Sequence, residues 1–407
     1  MMKLKFLILL IITPLAILSQ TRAEELAKAY QDLANGQKDN ALDTFLRLIE
    51  DDPSDPEALI GAGIVYYEMR KPNSSLDAMN EARNLNGDDP RPFYYMGLVH
   101  IDHRNFKAAQ PMFERTYSLD SLYTEVNYYI GACLMEQGKR ERAVEYLAHQ
   151  LAWEGPHAYT YFYLGRNAQY RGKNDTALIY LDSALTVNSE VPRFWLAKGD
   201  VYFDLANYES AIGAYSGALL RNDTYNEARY RRGVAFLKTG NAALAVEDLE
   251  LAAGGNSGDT AILEALAEAY QLNAQHLDAA QTYQKLIALV PGDMEYLFMR
   301  GLSYLEGESY QSALEDFALL HDAFPNDAAV SFQLGNCYDG LGDLANALYY
   351  YNQCLAVEPN HSMARYNKGS VLYALDRKAE ACELWKTLLS DDFLSTTAAQ
   401  TLADYCE

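Results

Sequence analysis

Small and apolar residues recur along this chain at helical spacing, and the pattern itself recurs. Stepping thirty-four residues at a time from Ala29 reaches Gly63, Gly97, Gly131, Gly165, Gly199, Gly233, Ala267, Gly301, Gly335 and Gly369. Twelve residues past each of these anchors stands a second small residue: Ala41, Ser75, Ala109, Ala143, Ala177, Ala211, Ala245, Ala279, Ala313, Ala347 and Ala381. Eleven copies without an insertion or deletion define an internal repeat, and a period of this length is the mark of a stacked array. Large side chains accompany the small ones. Three residues after the anchor come Tyr66, Tyr202, Phe236, Tyr270, Tyr304 and Tyr338; sixteen after it come Phe45, Phe113, Tyr215, Tyr283, Phe317, Tyr351 and Trp385. This spacing predicts two amphipathic helices per copy, drawn close where a side chain is missing.

Proline punctuates the pattern. Pro53, Pro291, Pro325 and Pro359 fall twenty-four residues after an anchor and end the second helix of their copies. Asp55-Pro56 and Asp89-Pro90 are strong helix starts, an N-capping carboxylate followed by proline at the first helical position; Val191-Pro192 has a poorer cap. Pro111 lies inside a second helix and predicts a kink. The glycine-rich stretch from Gly254 to Asp259 reads as a hinge or as a loose helix C-cap, and the unchanged period favours the cap.

The helix–turn–helix unit of this length resembles the tetratricopeptide repeat, over nearly the whole chain after its first twenty residues. The resemblance implies an all-α, right-handed superhelical solenoid of about eleven repeats across residues 22–395. A lone capping helix then covers residues 396–407, where Ala403 continues the register. It also implies a scaffold or adaptor that binds partner proteins or peptides on its concave face. Four copies depart from the family by placing a polar residue four before the anchor: Asn127, Arg229, Ser331 and Arg365.

By the same resemblance, groove-facing positions lie six, three and two before the anchor and one and four after it. They hold the pairs Tyr94-Tyr95, Tyr128-Tyr129 and Phe162-Tyr163, then Tyr230-Arg231, then Phe298, Phe332 and Tyr366; Arg166, Asp200, Glu268 and Asn336 follow an anchor by one, and Gln169, Gln271 and Asp339 by four. Rigid aromatics with polar residues at their edge suit an extended peptide or a helix. The competing reading is that one ring of each pair only packs between adjacent first helices. Stacking on sugar rings makes a glycan or peptidoglycan the alternative ligand, and a non-catalytic accessory subunit of an envelope enzyme or secretion complex is the other alternative. The Lys and Asn clamp with which some relatives hold a carboxylate terminus has no match at these positions. Arg229, Arg231 and Arg232 form a local basic cluster, and Arg232 replaces a core leucine, which points to pairing with a neighbouring carboxylate.

Charge narrows the partners. The chain carries a formal net charge of −23, which repels phosphate backbones and disfavours nucleic acid and anionic membranes. The first residues change the expected compartment. Lys3 and Lys5 precede an apolar run from Phe6 to Leu18, and small Ser19 follows, so residues 1–19 read as a secretory signal peptide leaving Gln20. The next cysteine is Cys133, so no lipidation box is present and a periplasmic or secreted protein without a membrane anchor is expected. The leader and its Ser-Gln junction resemble those of exported Gram-negative Bacteroidetes proteins. In such a compartment Cys382 and Cys406 can pair, because antiparallel neighbouring helices place them at similar heights; Cys133, Cys337 and Cys354 read as small buried residues. His100 and His103 are one turn apart but lack a third ligand, and no phosphate loop or nucleophile constellation occurs, so neither cofactor nor catalysis is expected.

Overall fold

The computed structural model describes residues 21–391 and 394–406; the leader expected over residues 1–19 lies outside them. All regular structure among the described residues is helical. None of these helices is long and apolar enough to cross a membrane. The chain divides into two compact units, one ending at Phe194 and one starting at Trp195.

The amino-terminal unit opens with α1 (residues 21–34) and α2 (Lys38–Asp51). It continues with α3 (Pro56–Glu68), α4 (Pro72–Leu85), α5 (Pro90–Asp102) and α6 (Phe106–Leu119). It closes with α7 (Val126–Glu136), α8 (Arg140–Trp153), α9 (Ala158–Tyr170) and α10 (Asn174–Val187). Helix α11 (Pro192–Asp204) crosses the division. The second unit then holds α12 (Tyr208–Arg221), α13 (Asn226–Lys238), α14 (Ala242–Gly255), α15 (Thr260–Leu272), α16 (His276–Leu289) and α17 (Met294–Glu306). It ends with α18 (Tyr310–Ala323), α19 (Ala328–Gly340), α20 (Leu344–Val357), α21 (Ser362–Ala374), α22 (Lys378–Lys386) and α23 (Ser395–Tyr405). Odd-numbered helices are the first, and even-numbered the second, members of each hairpin. Within each unit successive first helices meet, α3 with α5, α7 with α9, α13 with α15 and α17 with α19. First helices therefore line the tighter side of each stack.

The periodic glycine has a specific neighbour. A Cβ built on Gly97 would stand 2.7 Å from the Phe113 ring, one on Gly233 2.7 Å from Leu249, and one on Gly301 2.9 Å from Phe317. Each neighbour is the residue sixteen further on. The large side chain of the second helix thus lies flat on the bare backbone of the first, and the alanine twelve past the anchor is buried beside it. A second periodic device escapes sequence inspection. The turn inside every hairpin contains one left-handed residue, at Gly36, Arg70, Arg104, Gly138, Gly172, Ala206, Gly240, Ala274, Glu308, Gly342 and Asp376, again at steps of thirty-four. Only some copies use glycine, so composition hides the rule.

Aspartate caps start several helices: Asp55 accepts from the Glu57 amide at 2.9 Å, Asp89 from Arg91 at 2.9 Å, and Asp293 from Glu295 at 2.9 Å. Helix α6 runs through Pro111 as one element, so the expected kink does not divide it. The glycine-rich connection after α14 is a short turn in which Asp259 caps α15. Its length matches its counterparts, and Gly255 lies so close to the Asn226 side chain that a Cβ would collide. At the carboxyl end a disulfide joins Cys382 on α22 to Cys406 at the end of α23, with Cα atoms 5.9 Å apart. Leu388, Leu394, Ala398 and Leu402 close the core there. Cys133, Cys337 and Cys354 are free and buried, and burial pushes the Cys133 and Cys337 thiols up to about 12.

Candidate functional site

On the first helices of the amino-terminal unit the aromatic residues form a ladder. Tyr67 meets Tyr95 with ring centres 5.8 Å apart, Tyr95 meets Tyr94 at 5.6 Å, and Tyr94 meets Tyr129 at 5.8 Å. Tyr129 meets Tyr128 at 4.9 Å, and Tyr128 meets Tyr163 at 6.3 Å. Tyr163 meets Phe162 at 5.4 Å, and Phe162 meets Phe194 at 5.3 Å. Each paired position thus passes contact both within its helix and to the next first helix.

The members differ in burial. Phe162 is only 2% exposed and belongs to the core. Tyr129 stacks on Phe113 with centres 4.9 Å apart, and Tyr94 is wedged against Tyr123 at 4.8 Å. Tyr94, Tyr95, Tyr128, Tyr129 and Tyr163 are all half-buried. Burial raises the Tyr94 and Tyr128 hydroxyls above the ordinary phenol range, with nearby tyrosines and Glu125 adding to it. The rings stay neutral donors at any physiological pH. Two polar groups frame the ladder: the Tyr163 hydroxyl donates to Glu136 at 3.1 Å, and the Arg193 guanidinium lies 4.8 Å from the Phe162 ring centre. Arg166, exposed on α9, donates to Gln169 at 2.8 Å.

Six residues before their anchors, Glu57 and Arg91 face each other across consecutive first helices. Arg91 donates to both Glu57 oxygens at 2.8 and 2.6 Å and to Asp89 at 2.6 Å, while Tyr30 donates to Glu57 at 2.8 Å. The Arg91 hydrogen bond holds the Glu57 carboxyl below the usual carboxylate range, against the opposing effect of burial. This end of the amino-terminal face is a closed ion-pair network.

Tyr230 and Arg231 lie in the carboxyl-terminal unit. Arg231 pairs with Asp200 at 3.0 Å and with Glu227 at 2.6 Å. Asp200 is buried and also accepts from the Tyr215 hydroxyl at 3.1 Å. A cavity of about 160 Å³ remains between Phe203, Tyr215, Tyr230, Arg231 and Val234. Asn336 likewise accepts from Tyr351 at 2.8 Å and from Asn367 at 2.9 Å. The residue after the anchor therefore serves the polar tip of the ring that covers the glycine, in these two copies, instead of facing a groove.

Arg232 donates to both oxygens of buried Asp248 at 2.6 and 2.8 Å and to Ser216 at 2.9 Å. Arg300 repeats the arrangement two hairpins later, held by Asp316, at 2.8 Å through its Nε, and by Gln284. In both copies arginine stands one before the anchor, aspartate fifteen after it, and the third partner seventeen after the preceding anchor. Comparing the copies at these three offsets would have found the pairing in the sequence. Arg231 and Arg232 are thus both engaged by carboxylates, Arg231 while partly exposed. Among the described residues no three potential metal ligands converge; His103 donates through Nδ1 to the Val99 carbonyl at 2.8 Å.

The tetratricopeptide repeat family model matches residues 26–90, 94–156, 163–227, 196–260 and 264–328, and a second model of that repeat matches 328–361. A TPR repeat-containing protein of Methanocaldococcus jannaschii is 20% identical over 88% of this chain and 55% of its own length. Superkiller protein 3 of Schizosaccharomyces pombe is 29% identical over 27% of this chain and 8% of its own length. The chain thus spans about half or less of these curated relatives. Among solved structures, the Cut9 and Hcn1 hetero-tetramer aligns over 91% of this chain and 94% of the matched chain at 15% identity, with a TM-score of 0.37. The carboxyl-terminal part of a repeat protein from Cytophaga hutchinsonii aligns over 59% of this chain and 98% of its own at 15% identity, with a TM-score of 0.46. The family models cover most of the sequence, and the chain belongs to the tetratricopeptide-repeat family, whose repeats are in general scaffolds for protein–protein interaction.

Proposed function

We propose that this chain is an exported, non-enzymatic adaptor that holds a segment of a partner protein along the first helices of its amino-terminal unit. The observation that carries the reading is the ring ladder, with Tyr94, Tyr95, Tyr128, Tyr129 and Tyr163 all half-buried in contact with one another and, through Tyr163, with the buried Phe162 ring. Pre-ordered rings give a partner large contact area at little entropic cost, and neutral hydroxyls at their tips fix its orientation. The rings engage one another, Tyr129 on Phe113 and Tyr94 on Tyr123, which leaves few open faces for sugars and favours a polypeptide over peptidoglycan. The basic, apolar leader supports export to a periplasm or beyond, and the charge of −23 disfavours nucleic acid.

The test is site-specific photo-crosslinking in the source cell. A crosslinking residue at Tyr128 or Tyr163 should capture one discrete protein, and the same residue at exposed Ile179 on a second helix should not. Equal capture at both faces, or none at either, would remove the adaptor reading. Binding to isolated cell-wall sacculi that is lost on changing Tyr94, Tyr128 and Phe162 to Ala would replace it with the glycan reading.

A further inference from the structure

Where the residue before the anchor is an arginine, it meets its own second helix and the second helix of the preceding hairpin. In two copies that place holds an arginine clamped by a carboxylate, Arg232 by Asp248 and Arg300 by Asp316. In the last hairpin it holds Lys368, beside an open cleft. Leu384 stands where Asp248 and Asp316 stand, and Asn352 stands where Ser216 and Gln284 stand. The resulting cavity, about 580 Å³, is lined by Leu348 and Asn352 of α20, Lys368 and Leu372 of α21, and Arg377 and Leu384 beside them. Its two carboxylates are engaged by other cations: Glu380 takes both of its hydrogen bonds from Arg377 at 2.7 Å, and Glu383 pairs with Lys386 at 2.7 Å. Lys368 has no ion-pair partner among the described residues. Burial, reinforced by Arg377 and opposed by Glu380, lowers its affinity for the proton, as befits a cation lacking its counter-charge.

We propose that this cleft binds a carboxylate borne on an apolar body, the ligand's carboxylate taking the place that Asp248 and Asp316 fill in the arginine hairpins. Lys368 supplies the charge, the Asn352 amide a donor beside it, and Leu348, Leu372 and Leu384 an apolar wall. The volume suits a small ligand or one terminal residue of a chain. The site lies on the second-helix side of α21 in the carboxyl-terminal unit and shares no residue with the ring ladder of the amino-terminal unit, so it stands or falls independently of the adaptor reading. The disulfide anchors the same wall, since Cys382 on α22 lies between Glu380 and Leu384.

Calorimetric titration of the full chain with N-acetyl-leucine, and with the tripeptide acetyl-Ala-Ala-Leu, tests this in two arms. Saturable binding of either acid is expected, with the matching carboxamide at least about tenfold weaker because a charge-assisted bond is lost. The tighter arm tells whether the natural source is a small acid or a polypeptide end. Lys368→Met should weaken binding by at least about tenfold. Leu384→Asp restores the internal carboxylate of the arginine hairpins, so it should abolish binding while keeping the wild-type thermal midpoint. Equal affinity for acid and amide, undiminished binding by L384D, or no saturation by either acid up to about 10 mM would overturn the site.

Discussion

The two units share one frame and fill it with different chemistry. In both, a glycine backbone is covered by the side chain sixteen residues on, Gly97 by Phe113 in the first and Gly301 by Phe317 in the second. In both, a left-handed residue turns every hairpin. Around that frame the amino-terminal unit links its first helices through touching tyrosines, whereas the carboxyl-terminal unit clamps arginines on buried aspartates of the same hairpin and reaches to the hairpin before through Ser216 and Gln284. At the offsets of Arg300 and Asp316 the first unit has apolar pairs such as Met96 and Met112. The frame thus sets where hairpins sit, and the variable offsets set what each stretch of surface can do.

The comparison breaks most sharply at the buried ion pairs. Asp316 is 2% exposed and Arg300 largely buried, so Asp316→Ala strands a guanidinium and should cost about 3–5 kcal/mol. Transplanting the first unit's solution with Arg300→Met and Asp316→Met should recover most of that loss, since well-packed apolar replacements are often neutral or stabilising. Hydrogen exchange on α17 and α18 reads both variants locally. If the double variant stays as unstable as the single one, the two fillings are not interchangeable.

The shared frame should respond alike in both units. Gly97→Ala and Gly301→Ala each force a methyl against a ring and should cost about 1–3 kcal/mol by overpacking. Thermal unfolding with local exchange readout would show whether the losses match; a large disparity would mean that the frame is not common.

A smaller effect separates the units by pH. His157 caps α9 as an acceptor, its Nδ1 3.3 Å from the Thr160 amide, and its ring lies 4.5 Å from Tyr128. Burial lowers its pKa, against the pull of Glu125 and Glu154. A depressed histidine contributes stability that is complete above its unfolded pKa near 6.5 and is lost as pH falls through the folded value. Acidification from pH 7.5 to 5 should therefore loosen the start of α9 by about 1 kcal/mol, the worth of a cap. His157→Asn keeps an acceptor without the titration and should flatten the profile, measured by exchange at Tyr161 and Phe162. Smallest of all, Arg104→Gly and Glu308→Gly relieve left-handed backbone and should each raise stability by under about 1 kcal/mol in their own units.

The fold was legible because its cause is periodic: a missing side chain at constant spacing leaves a trace that no local accident imitates. The helix starts at Asp55 and Asp89 were legible for the same kind of reason, since capping chemistry is local. The surface was harder. Which ring of Phe162-Tyr163 is buried depends on how the hairpins lean together, and no spacing rule encodes that. Asp200 and Asn336 looked like groove residues because their offset faces a groove in relatives. Here Tyr215 and Tyr351 bring hydroxyls to that offset, and a phenol under a glycine must find an acceptor nearby. Glu57 and Arg91 share one offset in adjacent copies, so their pairing follows once consecutive first helices are known to touch.

The left-handed joint inside every hairpin also bears on how such a chain can be edited. A segment of one period cut at Gly138 and rejoined at Gly172, or of three periods rejoined at Gly240, meets the same backbone conformation at both ends. Deletion or duplication between joints would leave every helix whole and keep each glycine opposite its cover. Gene segments of that length can therefore be shuffled along the coding sequence, and an engineer can graft a hairpin between positions without redesigning its turns.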